Sequence, residues 1–209
     1  MHSLKLTDHA ASNIAMPTDA VSHANLRYLK LFFLIASLLL SSTSFAADFD
    51  TREYTLKGVF LERFTRFIDW PKDEAGNTNN NSFIISIVGN PEFSSLLKDI
   101  YQNQTIQGKT VLIKDIKDIN DIEELQNTHL LFIADTADIA LANILQQTEN
   151  SPILTVSDVN GFAKKGVMIN FFMSSKQKIR FEINELAIKK SELYISYKLL
   201  SVAKIVGTE

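Results

Sequence analysis

The sequence predicts an α/β fold. A mostly parallel sheet is flanked by helices in flavodoxin- or Rossmann-like layering, followed by a C-terminal antiparallel hairpin and a closing helix. Three observations carry this reading. Short continuous apolar runs alternate with helical segments through the middle of the chain, as in βαβ units whose sheet is covered on both faces. Two strand-like segments then follow only a few residues apart, too close for a crossover connection. The last segment returns to helical spacing. The 209 residues hold no cysteine and 21 Lys+Arg against 24 Asp+Glu, a formal net charge of -3. No disulfide, thiol nucleophile or cysteine-ligated zinc is available to such a chain. Its slightly acidic balance argues against nucleic acid as a partner, because neutralising phosphates needs a basic surface.

The N-terminus reads as an export signal. Leu31 to Leu40 (LFFLIASLLL) is an apolar core preceded by Arg27 and Lys30 and followed by Ser44-Phe45-Ala46, a small-x-small cleavage pattern. A spanning helix would need about 20 apolar residues, roughly twice this run. Residues 1–46 are therefore expected to be an N-terminal extension and signal peptide, cleaved after Ala46 or Ala47. Residues 47–209 are expected to form a single exported domain. Of the four histidines, only His129 lies in that domain.

Each element has its own reason. Tyr54 to Ile68 is expected to be the first helix, with Leu56, Val59, Phe60, Arg63, Phe64, Phe67 and Ile68 marking an apolar stripe and Arg63 at its edge. Trp70-Pro71 ends it, since the residue before proline is pushed out of helical geometry. Lys72 to Ser82 is a polar loop. Phe83 to Val88 (FIISIV) is a strand, and Pro91 opens a helix to about Gln102. Thr110 to Ile113 is the second strand. Asn120 or Asp121 caps a short helix through Leu125. His129 to Ala134 (HLLFIA) is the third strand, a helix follows to about Gln147, and Ile153 to Val156 is the fourth.

Val167 to Met173 and Lys178 to Asn184 form the hairpin. Ile179, Phe181 and Ile183 alternate with Arg180, Glu182 and Asn184. A one-residue slip would flip every side chain, so the apolar face selects the register that groups the aliphatic residues. Asn170 opposite Arg180 satisfies this, with a three- or five-residue turn centred on Ser175. Glu185 to Ser191 is a short helix, and Ser196 to Val206 the closing one.

Catalytic chemistry has little support. One histidine cannot build a two-histidine metal site, and no Gly-x-Ser-x-Gly elbow, Gly-x-Gly-x-x-Gly loop or Walker loop occurs. No catalytic residue, metal or cofactor is assigned. The acidic cluster Asp118, Asp121, Glu123 and Glu124 reads as a solvated face at a helix start. Candidate partner-binding residues are Asn170, Arg180 and Glu182 on the polar hairpin face, with Arg63 and the single tryptophan, Trp70, at the end of the first helix.

Several stretches in order resemble one family. They are Gly58-Val59-Phe60-Leu61 through Asp69-Trp70-Pro71, Ile87 to Phe93, His129 to Ile133, and Pro152 to Asp158. Gly161-Phe162, Gly166 to Phe171, Ile179 to Asn184 and Leu199 to Ala203 complete the set. Together they resemble the YfiR-like family of exported regulators, over about Tyr54 to Val206. The resemblance implies a repressor that binds the periplasmic domain of an inner-membrane diguanylate cyclase and lowers cyclic di-GMP. It implies sequestration by an outer-membrane YfiB-like lipoprotein, and a homodimer. Family type members use disulfides, which this chain cannot form. One alternative stays open: a periplasmic small-molecule binding module reporting to a membrane sensor kinase. Its ligand would sit at the carboxyl ends of the strands, near Gly89-Asn90, Ala134-Asp135 and Ser157-Asp158.

Overall fold

A computed structural model describes residues 43–71, 81–117, 125–135 and 138–207, with side chains from Thr51 onward in the first segment and from Ala140 onward in the last. The described fold is that of the unit Phe49–Glu209. Helix α1 (Thr43–Thr65) is followed by a two-residue strand, β1 (Ile68–Asp69). Then come β2 (Ser82–Val88) and α2 (Pro91–Tyr101). The Asn90 side chain caps α2 by accepting the Phe93 N–H, and Pro91 takes the first position, where no N–H is needed. Strand β3 (Thr105–Ile106) turns through Gln107 and Gly108, both at positive φ, into β4 (Lys109–Ile116). The chain continues through β5 (Leu130–Ile133), α3 (Asp138–Thr148), β6 (Leu154–Ser157) and α4 (Phe162–Lys165). The hairpin strands β7 (Ile169–Met173) and β8 (Ile179–Asn184) follow. Last come α5 (Glu185–Lys189), β9 (Tyr194–Ile195), α6 (Tyr197–Leu200) and β10 (Lys204–Val206).

Among the described residues, eight strands form one sheet in the order β10-β8-β7-β6-β5-β2-β4-β3. The run β4-β2-β5-β6-β7 is parallel throughout, which is the flavodoxin-like order with the chain reversing between β2 and β5. A separate antiparallel pair, β1 with β9, ties the end of α1 to the C-terminal segment. Strands β2, β5 and β6 are buried along nearly their whole length, as their unbroken apolar runs require of strands covered on both sides. One face carries Phe83, Ile85, Ile87, Phe132 and Phe171, packed with Leu61, Phe64, Phe93 and Leu97 from α1 and α2. The other carries Leu131 and Ile133, packed with Leu141, Ile144 and Phe162.

Three expectations are corrected. The buried side of α1 is Lys57, Gly58, Leu61, Phe64 and Thr65, while Leu56, Val59 and Arg63 face outward. The helix has apolar residues on two sides, and the sequence stripe mixed them. It also ends at Thr65, because Ile68 joins β1. In the hairpin Asn170 pairs with Glu182, and Phe172 with Arg180. The apolar face is the expected one, but the register is shifted by two residues, so the turn centres on Lys176. It is closed by the Ser174 N–H to the Lys178 carbonyl (3.0 Å), with Gln177 at positive φ. The closing helix stops at Leu200, and Lys204 to Val206 form an edge strand parallel to β8. The leader through residue 42, the loop 72–80 and the acidic helix start at 118–124 lie outside the described residues. The expected cleavage after Ala46 or Ala47 falls inside α1.

Candidate functional site

The five candidate residues fall in three places. Arg63 is exposed on the outer side of α1 and makes no ion pair among the described residues. Its neighbour Arg66 is engaged by Glu62 (2.7 Å), whose carboxylate raises the guanidinium pKa.

Trp70 lies at the amino ends of the parallel strands. Its indole N–H donates to the His129 carbonyl (3.3 Å), and its ring meets Phe83 edge-on, with centroids 5.3 Å apart. His129 stacks against the same phenylalanine at 4.7 Å. Its Nδ1 accepts the Ile84 N–H (3.1 Å), which places a ring proton on Nε2 in the neutral form. Trp70 and His129 line a groove of about 930 Å³, with Gln107, Lys109, Asn127 and Glu192 on its walls.

The hairpin trio divides by burial. Asn170 is 1% exposed, and its amide N–H donates to the Phe171 carbonyl (3.0 Å). Its Oδ1 is buried without a hydrogen-bond partner. Directly opposite, the Glu182 carboxylate has a side chain only 8% exposed and accepts from Lys204 Nζ at 3.1 Å. That pair fastens β10 to β8. Arg180 stands exposed across from Phe172. Of the trio, only Arg180 offers its charge to solvent.

A second polar centre was missed. Lys57 is buried on α1 and reaches Asp158 Oδ2 at 2.6 Å and Glu53 Oε1 at 2.7 Å, with its ammonium 4.1 Å from the Tyr54 ring centre. Asp158 follows the carboxyl end of β6, so this network pins α1 across that end of the sheet. The signal was readable, since Lys57, Leu61, Phe64 and Ile68 recur at helical spacing, and a lysine in such a row calls for a buried acid. Nearby, the Ser157 hydroxyl accepts the Val159 N–H (3.1 Å), a turn-closing bond.

Helices α1 and α2 touch where α1 has no side chain. A Cβ on Gly58 would stand 2.9 Å from Ile100 Cδ1 and 3.0 Å from Leu97 Cδ2. At the same place the Tyr101 hydroxyl donates to the Gly58 carbonyl at 2.6 Å. Burial, followed by the nearby Glu62 charge, pushes the Tyr101 phenol well above its ordinary value. Beyond this contact, Thr51, Tyr54, Gly89, Asn90, Glu92 and Phe93 border a groove of about 590 Å³. It lies outside the carboxyl end of β2, beside the point where the strand order reverses.

The sequence model of the YfiR/HmsC-like family matches residues 54–204, and the protein belongs to that family. The family is periplasmic, and regulatory rather than catalytic. No curated protein matches the chain. Among the described residues no helix is long and apolar enough to cross a membrane.

Proposed function

We propose that this protein is a periplasmic regulator that binds the periplasmic sensor domain of an inner-membrane diguanylate cyclase and holds the enzyme inactive. The observation that carries this reading is family membership over residues 54–204. Mechanistically the regulator selects the inactive state of the cyclase. A preference of about 3 kcal/mol for that state shifts its population more than a hundredfold. Arg63, Arg180 and Trp70 are the proposed contacts, with Asn170 and Glu182 shaping the hairpin that carries Arg180. We further propose export through a cleaved signal peptide, a homodimer, and release through an outer-membrane lipoprotein. With no cysteine in the chain, release does not use a thiol switch of its own.

Deletion of the gene is expected to raise intracellular cyclic di-GMP, and removal of one membrane cyclase to abolish the rise. An unchanged level in the deletion strain would remove the proposal. A second reading, a small-molecule module reporting to a sensor kinase, is favoured by one observation. The groove beside Gly89 and Asn90 lies where open α/β sheets commonly bind ligands. A metabolite that raises the melting temperature of the purified domain, with cyclic di-GMP unchanged on deletion, would select it.

A further inference from the structure

Helix α1 carries two apolar sides, and the fold uses one. Leu61 and Phe64 are buried against the sheet, while Leu56 is 52% and Val59 39% exposed. Leu56, Val59, Phe60 and Arg63 follow at i, i+3, i+4 and i+7, one stripe along the helix. The stripe borders the sheet without a break. Phe60 lies 6.4 Å from Phe181 of β8, and Ile205 of β10, 38% exposed, is in register with Ile183 on the same face. At the other end Met173 and Ile179 adjoin Glu53 and Lys57. A helix exposing large apolar groups beside a sheet edge that does the same forms a patch of the kind that marks an interface.

The charges around the patch say what fits it. The exposed positions from Arg52 onward are Arg52, Leu56, Val59 and Arg63 on α1 and Arg66 just beyond its end. The carboxylate on this flank, Glu62, is committed to Arg66. Arg63, at the end of the stripe, makes no ion pair among the described residues. The apolar strip thus ends in one positive charge, Arg63, that no carboxylate answers among the described residues. The same face of a second copy offers no exposed carboxylate among its described side chains to answer Arg63, whereas a segment with apolar side chains flanked by carboxylates would neutralise it.

We infer that the outer face of α1, continued by Phe181 and Ile205, is the docking surface for an amphipathic acidic segment of the membrane partner, with Arg63 pairing a partner carboxylate. This rests on the regulatory reading above and assigns its interface. The test uses the full-length chain restored to a deletion strain, with two readouts: cyclic di-GMP, and photocrosslinking from a benzoylphenylalanine placed at Val59. Leu56→Asp combined with Val59→Asp should abolish the lowering of cyclic di-GMP. Arg63→Glu should weaken it more than Arg63→Gln. Leu112→Asp, an exposed apolar position on β4, should leave it intact. Equal melting temperatures of the purified variants would exclude unfolding as the cause. The crosslink should capture a membrane cyclase and weaken as salt is raised.

If the double aspartate variant still lowers cyclic di-GMP fully, the surface is wrong and the regulatory reading stands. If the wild-type chain does not lower cyclic di-GMP but position 59 still captures one membrane protein, the surface stands and the cyclase reading fails. Crosslinking only to a second copy would overturn the proposed occupant.

Discussion

Tyr101 shows how one side chain links two helices and a pH dependence. Its hydroxyl satisfies the Gly58 carbonyl, and its folded-state pKa is raised by burial above the ordinary value of about 10. A raised pKa contributes stability that is complete below the unfolded value and is lost as pH rises through the folded one. Tyr101→Phe should cost about 1 kcal/mol near neutral pH, and the difference from wild type should shrink at about pH 11. Urea unfolding at the two pH values measures both; an undiminished gap in alkali would mean the phenol is not held neutral. Lys57 makes a comparable case. Asp158→Ala leaves a buried ammonium with Glu53 alone and should cost about 2–3 kcal/mol, near the low end for breaking a buried pair. Lys57→Met in the same background should recover much of that loss; no recovery would show that Asp158 acts through something other than charge.

At the scale of elements, the hairpin and α1 show what a sequence pattern can and cannot decide. Period-two alternation selects which residues share a face, and Phe171, Phe181 and Ile183 lie together as expected. A shift of two residues preserves that face, so alternation cannot distinguish Arg180 from Glu182 as the partner of Asn170. The turn decides, through Gln177 at positive φ and the Ser174–Lys178 closure. Likewise α1 offers two apolar stripes, and only packing against α2 selects the one containing Gly58. Gly58→Leu should force the helices apart, since even a Cβ would stand 2.9 Å from Ile100. We expect a loss of about 1–3 kcal/mol, the usual range for overpacking, read by thermal unfolding. An unchanged melting temperature would show that the α1–α2 contact is not close in solution. The strand β10 escaped notice because Lys204-Ile205-Val206 continues a helical apolar spacing. What makes it a strand is nonlocal: pairing to β8 and the Lys204–Glu182 contact.

At the scale of the whole molecule, the parallel core was readable because its strands are continuous apolar runs, and such runs are forced when both faces are covered. The strand order was not readable, since periodicity carries no information about which strand neighbours which. Of the candidate site, chemistry pointed to polar residues but could not tell exposure. Asn170 and Glu182 are buried and belong to the framework, while Arg63 and Arg180 remain free to meet a partner. Substituting Asn170 therefore tests packing, and Arg180 is the cleaner probe of the hairpin face. The protein combines a rigid α/β scaffold, pinned by Lys57 at one end and Trp70 at the other, with an outward apolar helix face.

The most direct measurement is intracellular cyclic di-GMP in the source bacterium with and without this gene, repeated in strains lacking single membrane cyclases. We expect a rise on deletion that disappears when one particular cyclase is also absent. An unchanged level, with every cyclase present, would contradict the proposed regulation of a diguanylate cyclase.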